Sequence, residues 1–117
     1  METNKDLFRL GHISECIDKI IEIAGILYTL KNLETKWIER DAMIRNFEII
    51  GEASIHISVE TKNCYPTIEW SEMRGMRNYI SHEYFGVDLA NIWDSAINDI
   101  PRLKSQIAKI ISDLETK

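Results

Sequence analysis

Two prolines and five glycines are few for 117 residues. That scarcity leaves little room for the many turns of a β-rich fold and favours long helices over short strands. Two cysteines, Cys16 and Cys64, make no disulfide framework, and the state expected for them is a pair of free thiols in a reducing compartment. No apolar run approaches the ~20 residues that span a bilayer. The charged start from Glu2 to Asp6 is unlike a signal peptide. A cytoplasmic protein with no membrane role is therefore expected. Positive charge is also short: 14 Lys and Arg face 19 Asp and Glu, a net charge of -5. This argues against a broad electrostatic grip on nucleic acid but leaves room for a local basic site. Metal-binding patterns are missing. His12, His56 and His82 fall on three different helices, and there is no Cys-X2-Cys pair or Gly-rich phosphate loop. No metal and no other cofactor is expected.

What is present is a helical pattern along the whole chain. The length suits one domain over 1–117, able to bury roughly two-thirds of its unfolded surface. The expected class is all-α, an up-and-down bundle of four to five helices. Leu10, Ile13, Ile17, Ile20, Ile21 and Ala24 recur at three- and four-residue steps. They place a first helix from near Asn4 to between Tyr28 and Asn32. Gly11 and Gly25 lie inside it and can mark close helix contacts; His12 reads as a surface or structural residue. After a loop over Lys31 to Lys36, a second helix is expected from Trp37 to Lys62. Its apolar arc is Ala42, Met43, Phe47, Ile50, Ala53 and Ile57. Arg45, Ile49, Glu52 and His56 share a stripe at that arc's edge. This stripe is either a solvated flank with an intrahelical pair, or a place where Arg45 or Glu52 leans toward the next helix.

Asn63-Cys64-Tyr65-Pro66 should break the second helix, because proline cannot continue it. A third helix is expected from Thr67 or Ile68 to His82 or Tyr84, ended by Gly86. Asp88 suits the cap of a fourth, from Leu89 to Asp99. Pro101 fits the first turn of a fifth, which buries Leu103, Ile107, Ile110, Ile111 and Leu114. The fourth and fifth can equally be one kinked element.

The chain is organised around Met73-Arg74-Gly75-Met76-Arg77-Asn78-Tyr79-Ile80-Ser81-His82-Glu83-Tyr84-Phe85-Gly86. Trp70, Met73, Met76, Ile80 and Tyr84 form one arc of its helix, which should face the core, with Arg77 at the border. Ser71, Gly75, Asn78 and His82 form a second stripe, small at its start and polar at its end. Arg77 and His82 are five residues apart and so about 140° apart around an ideal helix. A site using both needs either a distorted helix end or two copies of the stripe across a two-fold axis. The geometry permits a dimer without demanding one.

The run from Arg77 to Tyr84 resembles the signature of the HEPN superfamily, in its HepT-like branch. Arg45 to Ala53, Trp70 to Asp88, Ile92-Trp93 and Asp99-Ile100-Pro101 extend the likeness over nearly the whole chain. The resemblance implies a homodimer with facing Arg-X4-His-X-Tyr motifs. It also implies a toxin paired with an MntA-type nucleotidyltransferase antitoxin, and an endoribonuclease activity that needs no metal. His82 would then serve as acid or base, and Arg77 would hold the phosphoryl oxygens bidentately. Asn78, Arg74, Glu52 and Arg45 would support them, and Tyr84 would be the acceptor of AMP from the antitoxin.

Two plainer readings stand beside this. Arginine, asparagine and histidine at a helix end often only satisfy carbonyls and the helix dipole, and Tyr84 taken alone reads as a half-buried core tyrosine. The chain can also be a non-catalytic helical binding subunit of a nucleotidyltransferase complex. The acidic balance mildly favours that alternative.

Overall fold

A computed structural model describes residues 2–83 and 86–116. Within them the fold is all-α, with four long helical segments and two short ones. None of the helices is long and apolar enough to cross a membrane. Helix α1 spans Glu2–Leu27. Its stripe of Leu10, Ile13, Ile17 and Ile20 is completely buried. Tyr28 ends it by turning left-handed at φ 69°, a conformation that costs a non-glycine residue about 1–2 kcal/mol. Asn32 Nδ2 donates to the freed Leu27 carbonyl at 2.6 Å. Because the Tyr28 side chain is 83% exposed, Tyr28→Gly is expected to raise stability by about 1 kcal/mol in a urea melt.

The predicted loop over Lys31–Lys36 is instead mostly a short helix, α2, Leu30–Thr35. Thr29 caps it by accepting from the Asn32 N–H at 3.1 Å, and buried Leu33 pins it to the core. Helix α3 spans Trp37–Ile55, seven residues short of the expected end at Lys62. The reason lies on α1. Asp6, only 1% exposed, accepts from the Ser58 N–H at 3.0 Å, from Ser58 Oγ at 2.6 Å and from Thr61 Oγ1 at 2.6 Å. Ser58 in turn caps α4, Val59–Cys64, through the Thr61 N–H. A buried carboxylate requires such donors, and supplying them pulls the chain out of one continuous helix.

Pro66 then sits second in a turn closed by the Ile68 N–H and the Tyr65 carbonyl at 3.2 Å, a position its fixed φ favours. Trp70 Nε1 donates to the same carbonyl at 3.1 Å. Helix α5 therefore starts at Trp70, later than Thr67 or Ile68, and runs to His82. The Tyr65 hydroxyl donates to Asp113 at 2.7 Å. That bond, ahead of partial burial, pushes the Tyr65 pKa up to about 12.

Asp88 caps α6, Leu89–Asp94, through the Ala90 N–H at 3.0 Å. The helix widens into one π turn over Ser95–Asp99 and continues as α7, Ile100–Glu115. The fourth and fifth predicted helices are thus one element. Proline inside a helix loses a donor and crowds the carbonyl four residues back. The π turn just before Pro101 absorbs that conflict. Helix α1 packs against α3 and α7, and α3 packs against α5. Of the predicted apolar face of α7, Ile107, Ile110 and Leu114 are buried, and Leu103 and Ile111 lie half-buried against the core.

Candidate active site

The site begins with a glycine. Gly11 and Gly25 have open space where a Cβ would stand, so neither marks a helix contact. Gly51 on α3 does. A Cβ there would lie 2.6 Å from the Met73 carbonyl oxygen and would run into the backbone and Cβ of Arg77. Only glycine lets α5 lie this close to α3. Gly51→Ala is expected to cost about 1–3 kcal/mol through overpacking and to displace Arg77. Chemical denaturation and an NMR comparison of the Arg77 side chain would measure both effects.

The close approach sets Arg77 beside Glu52. Arg77 Nε and Nη2 lie 3.1 and 3.0 Å from Glu52 Oε1, and Nη1 donates to Asn78 Oδ1 at 3.0 Å. The other Glu52 oxygen accepts from His56 Nε2 at 3.3 Å. A polar chain results: Asn78, Arg77, Glu52, His56. It holds the guanidinium plane, and each terminal nitrogen, with two N–H groups and one such contact, keeps an N–H for a ligand.

The His56 hydrogen bond, and then the charge and hydrogen bond of Arg77, hold Glu52 below the usual carboxylate value of 4.5, against partial desolvation. A depressed carboxylate stabilises the folded state above pH 4.5 and loses that contribution as pH falls through its lower folded value. The Arg77–Glu52 clamp is therefore expected to hold at neutral pH and to open in acid, which carboxyl-carbon NMR would follow.

The other candidate residues are placed separately. Arg45 pairs with Glu48 on its own helix at 2.9 Å instead of reaching α5. Arg74 is exposed; its charge, after burial, lowers the Lys62 pKa. His82 is exposed at the end of α5, and no bond among the described residues joins it to Arg77. Asn78 holds Arg77 and not His82. The second stripe faces outward: Ser71, Gly75, Asn78 and His82 are all exposed, and Gly75 has open space around it. Tyr84 lies outside the described residues.

Gly86 does not terminate α5. Glu83 is the C-cap, and the Gly86 N–H closes the following turn onto the Glu83 carbonyl at 2.8 Å. Tyr79, not singled out in the sequence, has a part in this segment. Its hydroxyl accepts from the Asp88 N–H at 2.6 Å and so ties the chain after the motif back to α5. Spacing alone carries no sign of that bond.

Two hollows flank α5. One, of about 130 Å³, has a floor of Phe47, Ile50, Met73 and Met76 and a rim that includes Glu69 and Glu72. The hydrogen bond and charge of Glu69 raise the Glu72 pKa. The other, of about 420 Å³, lies between α1, α3 and α5 and includes Arg9, His12, Arg45, Arg77 and Ser81. No group of three His, Cys, Asp or Glu side chains among the described residues is placed to hold a metal ion.

A family model described as "Ribonuclease HepT-like" matches residues 13–110, from near the middle of α1 through most of α7. The chain belongs to the HepT-like family. Among its relatives is a Methanocaldococcus jannaschii protein named "Gamma-glutamylcyclotransferase and putative RNase". The two are 40% identical over 110 residues, 91% of this chain and 47% of that protein. A "Putative RNase" of the same organism is 37% identical over 108 residues, 92% of this chain and 88% of that one. A Thermococcus cleftensis protein named "Probable ribonuclease HepT" is 46% identical over 69 residues, 59% of this chain and 63% of that one. The HepT-like chain thus spans about half of the first relative and under two-thirds of the third. No solved structure matches it.

Proposed function

We propose that this HepT-like protein is the toxin of a toxin–antitoxin pair and cleaves RNA internally without a metal ion. The observation that carries the reading is the fixed guanidinium of Arg77. Glu52 from α3 and Asn78 from α5 clamp it on the helix that ends at exposed His82. Membership of a family described as ribonuclease supports it.

Cleavage of this kind needs a base, an acid and a cation. The base takes the proton from a ribose 2'-hydroxyl, and the 2'-oxygen attacks phosphorus. The bond to the 5'-oxygen breaks, and that oxygen leaves with a proton from the acid. A 2',3'-cyclic phosphate and a 5'-hydroxyl result. His82 supplies the proton transfer. Arg77 holds the phosphoryl oxygens through its planar, bidentate guanidinium. Arg74 adds positive charge on the same helix, and Arg45 lies across the groove. Five residues of ideal helix set Arg77 and His82 about 140° apart around α5, and in this reading the complete site takes one residue from each of two facing subunits. The exposed Ser71–Gly75 stripe offers a second chain an unobstructed approach.

Control falls to a nucleotidyltransferase partner of the MntA type. It transfers AMP from ATP to the Tyr84 hydroxyl, which loses its proton as pyrophosphate leaves; this adds bulk and negative charge two residues from His82 and competes for Arg77. These roles place the protein in the cytoplasm with its RNA substrate.

Incubating the purified chain with RNA and a chelator tests the reading. Cleavage that leaves cyclic-phosphate ends is the expected result. Cleavage that disappears with chelator would overturn the metal-free mechanism. A chain that is harmless on expression yet accepts AMP from the partner would instead be a non-catalytic subunit of the nucleotidyltransferase complex.

A further inference from the structure

The groove between α1, α3 and α5 reaches beyond the Arg-X4-His-X-Tyr motif. Its cations are not equally matched. Arg45 is paired with Glu48 and Arg77 with Glu52. Arg9 has no carboxylate partner among the described residues. Two acids thus face three arginines, and the groove carries surplus positive charge on a chain whose net charge is -5.

Phe8 stands next to Arg9 and is 62% exposed, although its neighbour Leu10 is fully buried. Its ring lies 4.5 Å from that of His12, tilted by 47°, and His12 lines the groove. Residues 8, 9 and 12 are close on one side of α1 by helical spacing. A positively charged groove edged by an exposed aromatic pair is the pattern that holds single-stranded nucleic acid, the cations tracking phosphate and the rings stacking bases. A volume of about 420 Å³ falls within the small-ligand range of about 300–1,000 Å³.

We propose that this groove seats the RNA nucleotide next to the cleaved phosphate. Arg9 contacts its phosphate, and the Phe8–His12 ring pair stacks its base. The inference rests on the ribonuclease reading and assigns α1 a part in substrate binding that the motif does not include.

The test uses the full chain carrying His82→Ala, so that RNA is bound and not consumed. Anisotropy of a short labelled single-stranded RNA is measured across a salt series. Phe8→Ala is expected to weaken binding about 10-fold, within the range for one lost base stack, and Phe8→Trp to retain it. Arg9→Gln is expected to weaken binding and lower the slope of log affinity against log salt by about one. Lys109→Gln, on α7, serves as the control and is expected to change neither. In the active chain, Arg9→Gln should raise KM more than it lowers kcat.

Parental affinity and salt slope in both Phe8→Ala and Arg9→Gln would overturn the inference. So would variants that keep RNA binding but lose self-association, since the face would then be a contact between copies. If the parent chain cleaves RNA while these variants bind like the parent, only the groove assignment fails. If the parent neither binds nor cleaves RNA, the ribonuclease reading fails and takes this inference with it.

Discussion

His82→Ala is expected to abolish RNA cleavage while leaving the bundle folded. The imidazole is exposed at the end of α5, so truncation removes no core packing. Surface changes of that kind stay within about 0.5 kcal/mol. The loss of a positioned acid or base costs about 10²–10⁴-fold in rate, and single-turnover cleavage on a chain of unchanged melting temperature would separate the two effects. Arg77→Ala should lose cleavage as well, but it also strips Glu52 of its guanidinium and disturbs the contact between α3 and α5. Arg77→Lys keeps the charge and loses the planar fork, so activity should remain low if bidentate holding matters. His82→Ala protein that cleaves at the parental rate would remove His82 from the mechanism.

The largest stability effect is expected at Asp6. Its carboxylate accepts three hydrogen bonds at 1% exposure and ties the first turns of α1 to the start of α4. Removing it leaves the Ser58 N–H without its partner in a partly buried site. Each buried group so stranded costs about 1–3 kcal/mol, and the two hydroxyls recover part of their loss by rotating. Asp6→Ala is therefore expected to destabilise the fold by about 3 kcal/mol, a large share of the 5–15 kcal/mol typical of a domain. The melting temperature should fall by roughly 10 °C. Asp6→Asn keeps one acceptor for the Ser58 N–H and should cost about half as much. If Asp6→Ala melts with the parent, the carboxylate does not organise the break between α3 and α4.

Much of the architecture follows from local pattern. The buried stripe of α1, the turn at Pro66, the cap at Asp88 and the two faces of α5 depend on residues within a few positions of one another. The Arg77-X4-His82 motif is legible for the same reason, as is the HepT-like membership that the family model bears out. The break after Ile55 is not, because it depends on Asp6 meeting Ser58 and Thr61 from more than 50 residues away. The three internal glycines of α1 and α3 illustrate the same limit. Gly11, Gly25 and Gly51 look alike along the chain, and only Gly51 has another helix against it.

The residue types needed for phosphate chemistry, and the helix that carries them, are therefore determined by sequence alone, because helical period and side-chain chemistry are local properties. Which carboxylate holds Arg77, which glycine permits it and which groove it opens into were decided only by tertiary packing. Those facts depend on what lies opposite each side chain, and no spacing within one helix records that.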